Sequence, residues 1–230
     1  ELQIEDDYDA ANQVYTLTVR QFCPPTPHQE RKEPFHIPLA VGLLDENGQD
    51  LPLRLAGEEA PAGTTRVLEL REPRQTFRFV AVPARPVPSL LRGFSAPVKL
   101  RSAETDAELR FRLAHDSDDF NRWDAGQTLA MRLILALVQA RQQGGAWELP
   151  GPFSAAFGHA LTAAADPALL AQLLTLPSET WLAEQMIVVD VDGIHAARRF
   201  AQRTLAERLR TTLRATYQTQ RDVTGACYRT

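Results

Sequence analysis

Cysteine is scarce in these 230 residues: Cys23 and Cys227 are the only two. A pair so far apart does not make a disulfide frame, and it is read as buried or incidental thiols in a reducing, cytoplasmic setting. Long apolar runs are missing as well. No stretch approaches the roughly 18 uninterrupted apolar residues of a membrane span, so no membrane partner is expected. Charge of one sign is not in excess, with 25 basic and 29 acidic residues and a net charge of -4. A chain without a basic surplus gives no reason to expect a nucleic-acid partner. The opening Glu1 to Asp9 is acidic, unlike a secretory signal or an Arg-rich transit peptide.

Chemical motifs are equally sparse. The five histidines, His28, His36, His115, His159 and His195, include no H-E-x-x-H pair that would put two imidazoles and a base on one helical face. There is no Cys-x-x-Cys, no phosphate loop, no Gly-x-Gly-x-x-Gly and no Gly-x-Ser-x-Gly elbow. The densest polar run is His115-Asp116-Ser117-Asp118-Asp119, with Asp124 beyond it. A calcium loop would need Gly at its sixth and Glu at its twelfth position. Counted from Asp116, those are Asn121 and Gln127. Ser117 or Asp118 as cap of a following helix explains the acids better. Phe120, Trp123 and Gln127 read as a packing stripe rather than a binding ridge. Arg198, Arg199, Arg203, Arg208, Arg210 and Arg214 read as a solvated helix face rather than a phosphate site. No catalytic, cofactor-binding or metal-binding residue is assigned.

What is present divides in two. Twelve of the 16 prolines fall in the first 100 residues. There the apolar pattern alternates, whereas later it follows the helical period, which sets a boundary at 101/102. In the first part, Tyr15, Leu17 and Val19 mark one strand. Phe35, Ile37, Leu39, Val41 and Leu43 mark another. The Asp45-Glu46-Asn47-Gly48 turn and a return through Leu51, Leu53 and Leu55 complete an expected hairpin over 35–55. Phe77, Phe79 and Ala81, then Val98 and Leu100, close the series. Pro38 and Pro52 should sit on edges or point outward, and His36 should lie at the surface. Short alternating strands between Pro-rich turns imply an antiparallel β-sandwich.

The second part predicts an all-α array. Helices are expected over 105–114 and 117–141, the latter apolar on nearly every side from Thr128 to Val138. Another carries Phe153, Phe157, Ala160, Leu161 and Ala164. Asp166-Pro167 caps a helix bearing Leu169, Leu170, Leu173 and Leu174. Ser178 caps one with Leu182, Met186 and Val189. Asp192 caps a long one with Ile194, Ala197, Ala201, Leu205, Leu209 and Thr212 in line. Its stripe is expected to meet water or a self-associating contact.

Two segments carry a family likeness. One runs from Gln75-Thr76-Phe77-Arg78-Phe79 through Pro86-Val87-Pro88-Ser89-Leu90-Leu91-Arg92-Gly93-Phe94-Ser95-Ala96-Pro97-Val98. The other is Leu113-Ala114-His115-Asp116-Ser117-Asp118-Asp119-Phe120-Asn121-Arg122-Trp123-Asp124-Ala125-Gly126-Gln127. With the Tyr15-Thr16-Leu17-Thr18-Val19 strand and the Pro24-Pro25-Thr26-Pro27 turn, they resemble the bacterial aminopeptidase N family of zinc metallopeptidases. The likeness covers most of the chain and thins after about residue 200.

The resemblance implies an immunoglobulin-like β-sandwich over 1–101, followed over 102–230 by the opening part of a solenoid-like helical domain. It implies zinc in the parent, with the metal motif and the Gly-Ala-Met-Glu-Asn substrate loop in upstream domains that no position here matches. The implied partners are the remaining domains of the parent and its peptide substrates, often with N-terminal Ala or basic residues. The implied role is a sandwich spacer and a helical wall of the active-site chamber, with no catalysis in this segment. Glu1 in place of an initiator Met fits a piece of a longer chain. The alternative reading is an independent protein-binding module.

Overall fold

The computed structural model describes residues 1–163 and 166–220; Ala164 and Cys227, both part of the sequence reading, lie outside the described residues. Seven strands come first: β1 (Leu2–Asp9), β2 (Val14–Gln21), β3 (Ile37–Leu44), β4 (Arg66–Leu70), β5 (Arg74–Val80), β6 (Val87–Leu90) and β7 (Leu100–Arg101). They form a four-stranded sheet in the order β5-β2-β1-β7 and a three-stranded sheet in the order β4-β3-β6. All pairings are antiparallel except the short one between β1 and β7.

Alternation decides which side chains enter the core. β2 turns Tyr15, Leu17 and Val19 inward, β1 adds Leu2 and Ile4, and β3 and β4 supply Leu39, Val41, Leu43, Leu68 and Leu70 from the other sheet. These residues form one continuous apolar cluster, the signature of two sheets packed face to face. Each fully buried Leu or Val contributes roughly 1.5–3 kcal/mol over its exposed state. The sandwich expected from the sequence is therefore present, as is the helical array after it.

The expected 35–55 hairpin is not. β3 takes β4 as its antiparallel neighbour, with Leu39 opposite Leu68. Leu51 still bonds back to the Leu43 carbonyl, but Pro52 has no N–H to extend the ladder. Leu55 instead bridges Phe79 in the opposite sheet. Pro38 lies on the central strand rather than an edge, and is exposed there. Phe35 precedes β3 and is exposed, as is His36, while Ala81 falls beyond β5 with φ 58°. The Asn47-Gly48 turn forms as expected: Asp45 Oδ1 accepts the Asn47 and Gln49 N–H groups, and Gly48 takes φ 80°.

Helices follow: α1 (Asp106–His115), α2 (Asp119–Gln142), α3 (Gly151–Ala163), α4 (Pro167–Leu174), α5 (Glu179–Ala183), α6 (Val191–Arg208) and α7 (Arg210–Gln220). Thr105 and Glu108 make a reciprocal capping box on α1, satisfying two otherwise orphaned N–H groups. Asp166 and Ser178 cap α4 and α5 as expected. α6 is capped by Asp190 rather than Asp192, since Asp190 accepts the Gly193 N–H at 2.8 Å. The expected single long helix breaks at Leu209, and α7 buries none of its residues. α5 is one short turn, so Val189 lies outside it and is exposed. Ile194, Ala197, Ala201 and Leu205 are buried rather than bare.

By contacts the chain forms two units, Glu1–Arg122 and Trp123–Thr230. α1 and the first turn of α2 therefore belong with the sandwich. No described helix is long and apolar enough to cross a membrane.

Candidate functional site

The most elaborate polar arrangement lies inside the first unit, around Arg92. A turn carries it: Leu91 (φ 60°), Gly93 (φ 61°) and Phe94 (φ 52°) are all left-handed, two of them at a steric cost that non-glycine residues rarely bear. The turn drives the guanidinium inward, and only 6% of Arg92 is exposed. Its Nε donates to Ser89 Oγ at 2.8 Å, one terminal nitrogen to Thr65 Oγ1 at 2.8 Å, and the other to Asp50 Oδ1 at 2.5 Å. The sheet makes room for it at Gly42, where a Cβ would come within 2.1 Å of Arg92 Cζ.

The segment before α2 completes the network. Ser89 donates to Asp116 Oδ1 at 3.0 Å and accepts from Asn121 Nδ2 at 2.8 Å. Ser117 donates to Asp50 Oδ2 at 2.6 Å. Asp118 caps α2 as expected, accepting the Asn121 N–H at 2.9 Å, while its second oxygen takes the Gly93 N–H at 2.8 Å. Asp116 is buried, and Arg112 Nε stands 3.5 Å from its Oδ2; Arg112 also pairs with Glu104. Burial pushes the Asp116 carboxyl above its ordinary range, opposed by the Asp118 N–H, Arg112, Ser89 and Arg92.

A cleft of about 350 Å³ opens over this network, lined by Asp50, Thr65, Arg92, Ser117 and Asp118. The chemistry beneath it is already committed. Ser89 is fully buried and bonded to Asp116, Arg92 and Asn121, so its hydroxyl is not presented as a nucleophile. The arrangement is a lock: Arg92 is held by Asp50, Thr65 and Ser89, and Asp118 by the Gly93 and Asn121 N–H groups.

The residues singled out in the sequence scatter around it. His115 lies against Phe111, ring centroids 4.9 Å apart, and beneath Gly48, where a Cβ would approach within 2.4 Å. His36 stands 3.8 Å from Glu69, and His195 2.9 Å from Glu179. Phe120 packs on Phe94 at 5.1 Å, and Gln127 donates to the Thr175 carbonyl at 2.7 Å. Among the described residues, no three or more His, Cys, Asp or Glu stand together as a metal site. The arginine stripe is only partly solvated. Arg198 donates to the carbonyls of Leu176 and Pro177, and Arg208 to Leu149 O and Ser154 Oγ.

Both halves of the lock, Ser89 with Arg92 and Asp116 with Asn121, come from the two segments that carry the family likeness. A model of a "Domain of unknown function (DUF3458) Ig-like fold" matches residues 1–103, and one of a "Domain of unknown function (DUF3458_C) ARM repeats" matches residues 106–228. The chain belongs to the DUF3458 family. Aminopeptidase N of Escherichia coli (strain K12) is 41% identical to this DUF3458 chain over 215 residues, 93% of the chain and 24% of that protein. Aminopeptidase N of Haemophilus influenzae (strain ATCC 51907 / DSM 11121 / KW20 / Rd) is 40% identical over 211 residues, 91% of the chain and 24% of its own length. The crystal structure of Legionella pneumophila aminopeptidase A in complex with aspartic acid superposes with a TM-score of 0.73 at 26% identity. That match covers 96% of the DUF3458 chain and 24% of the other. The chain thus spans about a quarter of the relatives it matches, and the likeness to aminopeptidase N read from the sequence holds over nearly all of it.

Proposed function

We propose that this chain is a structural segment of a zinc-dependent aminopeptidase that removes N-terminal residues from peptides in the cytoplasm. Residues 1–101 act as an immunoglobulin-like spacer, and 102–230 as the start of a helical wall around the active-site chamber. The observation that carries this is the match to aminopeptidase N at 41% identity over 93% of the chain, yet over only 24% of that enzyme. The polar centre around Arg92 is consistent with the role, because the Arg92 guanidinium and the Ser89 hydroxyl are bonded to neighbouring side chains. The described residues also offer zinc no set of three donors; the reading assigns metal and catalysis to the rest of the parent, and no residue here to either.

The test is direct. The 230-residue chain, supplied with zinc, is expected to leave alanyl and arginyl reporter substrates uncleaved. The full-length parent cleaves them and loses activity to a chelator. Zinc-dependent turnover that co-purifies with the chain alone overturns the proposal.

A further inference from the structure

Between α5 and α6 the second unit presents a run of apolar side chains to water. Ile187 is 104% exposed, Val188 81%, Val189 46% and Val191 66%. A contiguous patch of this kind, on the order of a few hundred Å², marks an interaction site more often than an accident. The segment is also held in place. Ser178 caps the helix before it, and Asp190 caps the helix after it while accepting from Gln142 Nε2 at 3.0 Å. His195 meets Glu179 at 2.9 Å across the two helices, and Arg198 ties α6 to the carbonyls ahead of α5. Anchoring at both ends lowers the ordering cost of binding, so the four side chains form a prepared knob.

We propose that this knob docks into an apolar recess on the part of the full-length aminopeptidase that lies outside these 230 residues. The inference rests on the aminopeptidase reading above. The occupant follows from two observations. Relatives carry about three-quarters of their length outside the matched region, which supplies a surface in the same molecule at high effective concentration. Glu184 and Asp192, both exposed, border the knob, so the recess is rimmed by Lys or Arg.

Hydrogen exchange of the peptide covering 186–192 tests it, measured in the full-length enzyme and in the 230-residue chain. Exchange about tenfold slower in the enzyme is expected. Ile187→Asp should leave the melting midpoint of the 230-residue chain unchanged and lower that of the full-length enzyme. Equal exchange in both, in an enzyme that cleaves alanyl reporters, overturns the docking while the aminopeptidase reading stands. Protection that grows with concentration of the 230-residue chain assigns a second copy instead and also overturns it. Slower exchange in a longer parent without peptidase activity keeps the docking and overturns the aminopeptidase reading. A gene encoding no longer chain overturns both.

Discussion

In residues 1–122 the long-range polar bonds around Arg92 run mainly between side chains, the Gly93 N–H to Asp118 bond excepted. Arg92 reaches Asp50, Thr65 and Ser89, Ser117 reaches Asp50, and Asn121 reaches Ser89. In residues 123–220 they run mainly from a side chain to the backbone: Gln127 to Thr175, Arg198 to Leu176 and Pro177, Arg208 to Leu149, and Trp147 to Leu137. A carbonyl is present whatever residue bears it, whereas a hydroxyl or carboxylate is a property of one residue. The network around Arg92 therefore depends on particular identities at both ends of most of its bonds. The second unit depends on a donor long enough to reach.

The sharpest way to break this comparison is to cut the lock. A chain of residues 1–102 lacks Asp116, Ser117 and Asn121, whereas one of residues 1–122 keeps them. The longer piece should unfold in urea at a clearly higher midpoint, and equal midpoints would remove the lock from the folding unit. Next in size, Arg92→Met removes the cation paired with the half-buried Asp50 and close to the buried Asp116 and should cost about 3–5 kcal/mol, read from denaturant melts. Gly42→Ala should cost about 1–3 kcal/mol by pushing a methyl group into the guanidinium. In the Arg92→Met background that cost should largely vanish, and the double-mutant cycle measures the coupling.

Smaller effects test the other half. Arg208→Lys should cost under about 0.5 kcal/mol, since an ammonium can still donate to the Leu149 carbonyl, while Arg92→Lys should lose most of what Arg92→Met loses. Equal penalties would erase the distinction. The smallest effect is in pH. Because burial raises the Asp116 carboxyl, the folded chain holds that proton to a higher pH than the unfolded one. The stability due to this group is full below the unfolded pKa of about 3.9. It declines as pH rises through the raised folded value. Asp116→Asn should flatten that slope in melts taken across the mildly acidic range.

Which features the sequence disclosed follows the same division. α1, α2 and α4 were legible because a helix writes its caps and stripe within a few residues, as Asp166-Pro167 does. β2 was legible from alternation alone. β1 was missed because the acids Glu5, Asp6 and Asp7 hide the alternation of Leu2 and Ile4. The false hairpin arose because Leu51, Leu53 and Leu55 alternate like a returning strand yet pair with different partners, Leu43, Gly63 and Phe79. The Asp118 cap was visible because the Asn121 N–H that it accepts lies only three residues on. Arg92 was not visible, because Asp50 lies 42 residues before it and no local period connects them.

That spacing also has a consequence in time. Synthesis proceeds from the N-terminus at about 5–20 residues per second. Arg92 is made well after Asp50, yet Asn121 follows it by 29 positions, an interval of about 1.5–6 s. Throughout it a nascent sandwich, its strands β1 to β6 already made, holds a cation in a half-built socket. A chaperone that visits this protein on the ribosome should be found there, bound to chains whose emerged part ends between Arg92 and Asn121.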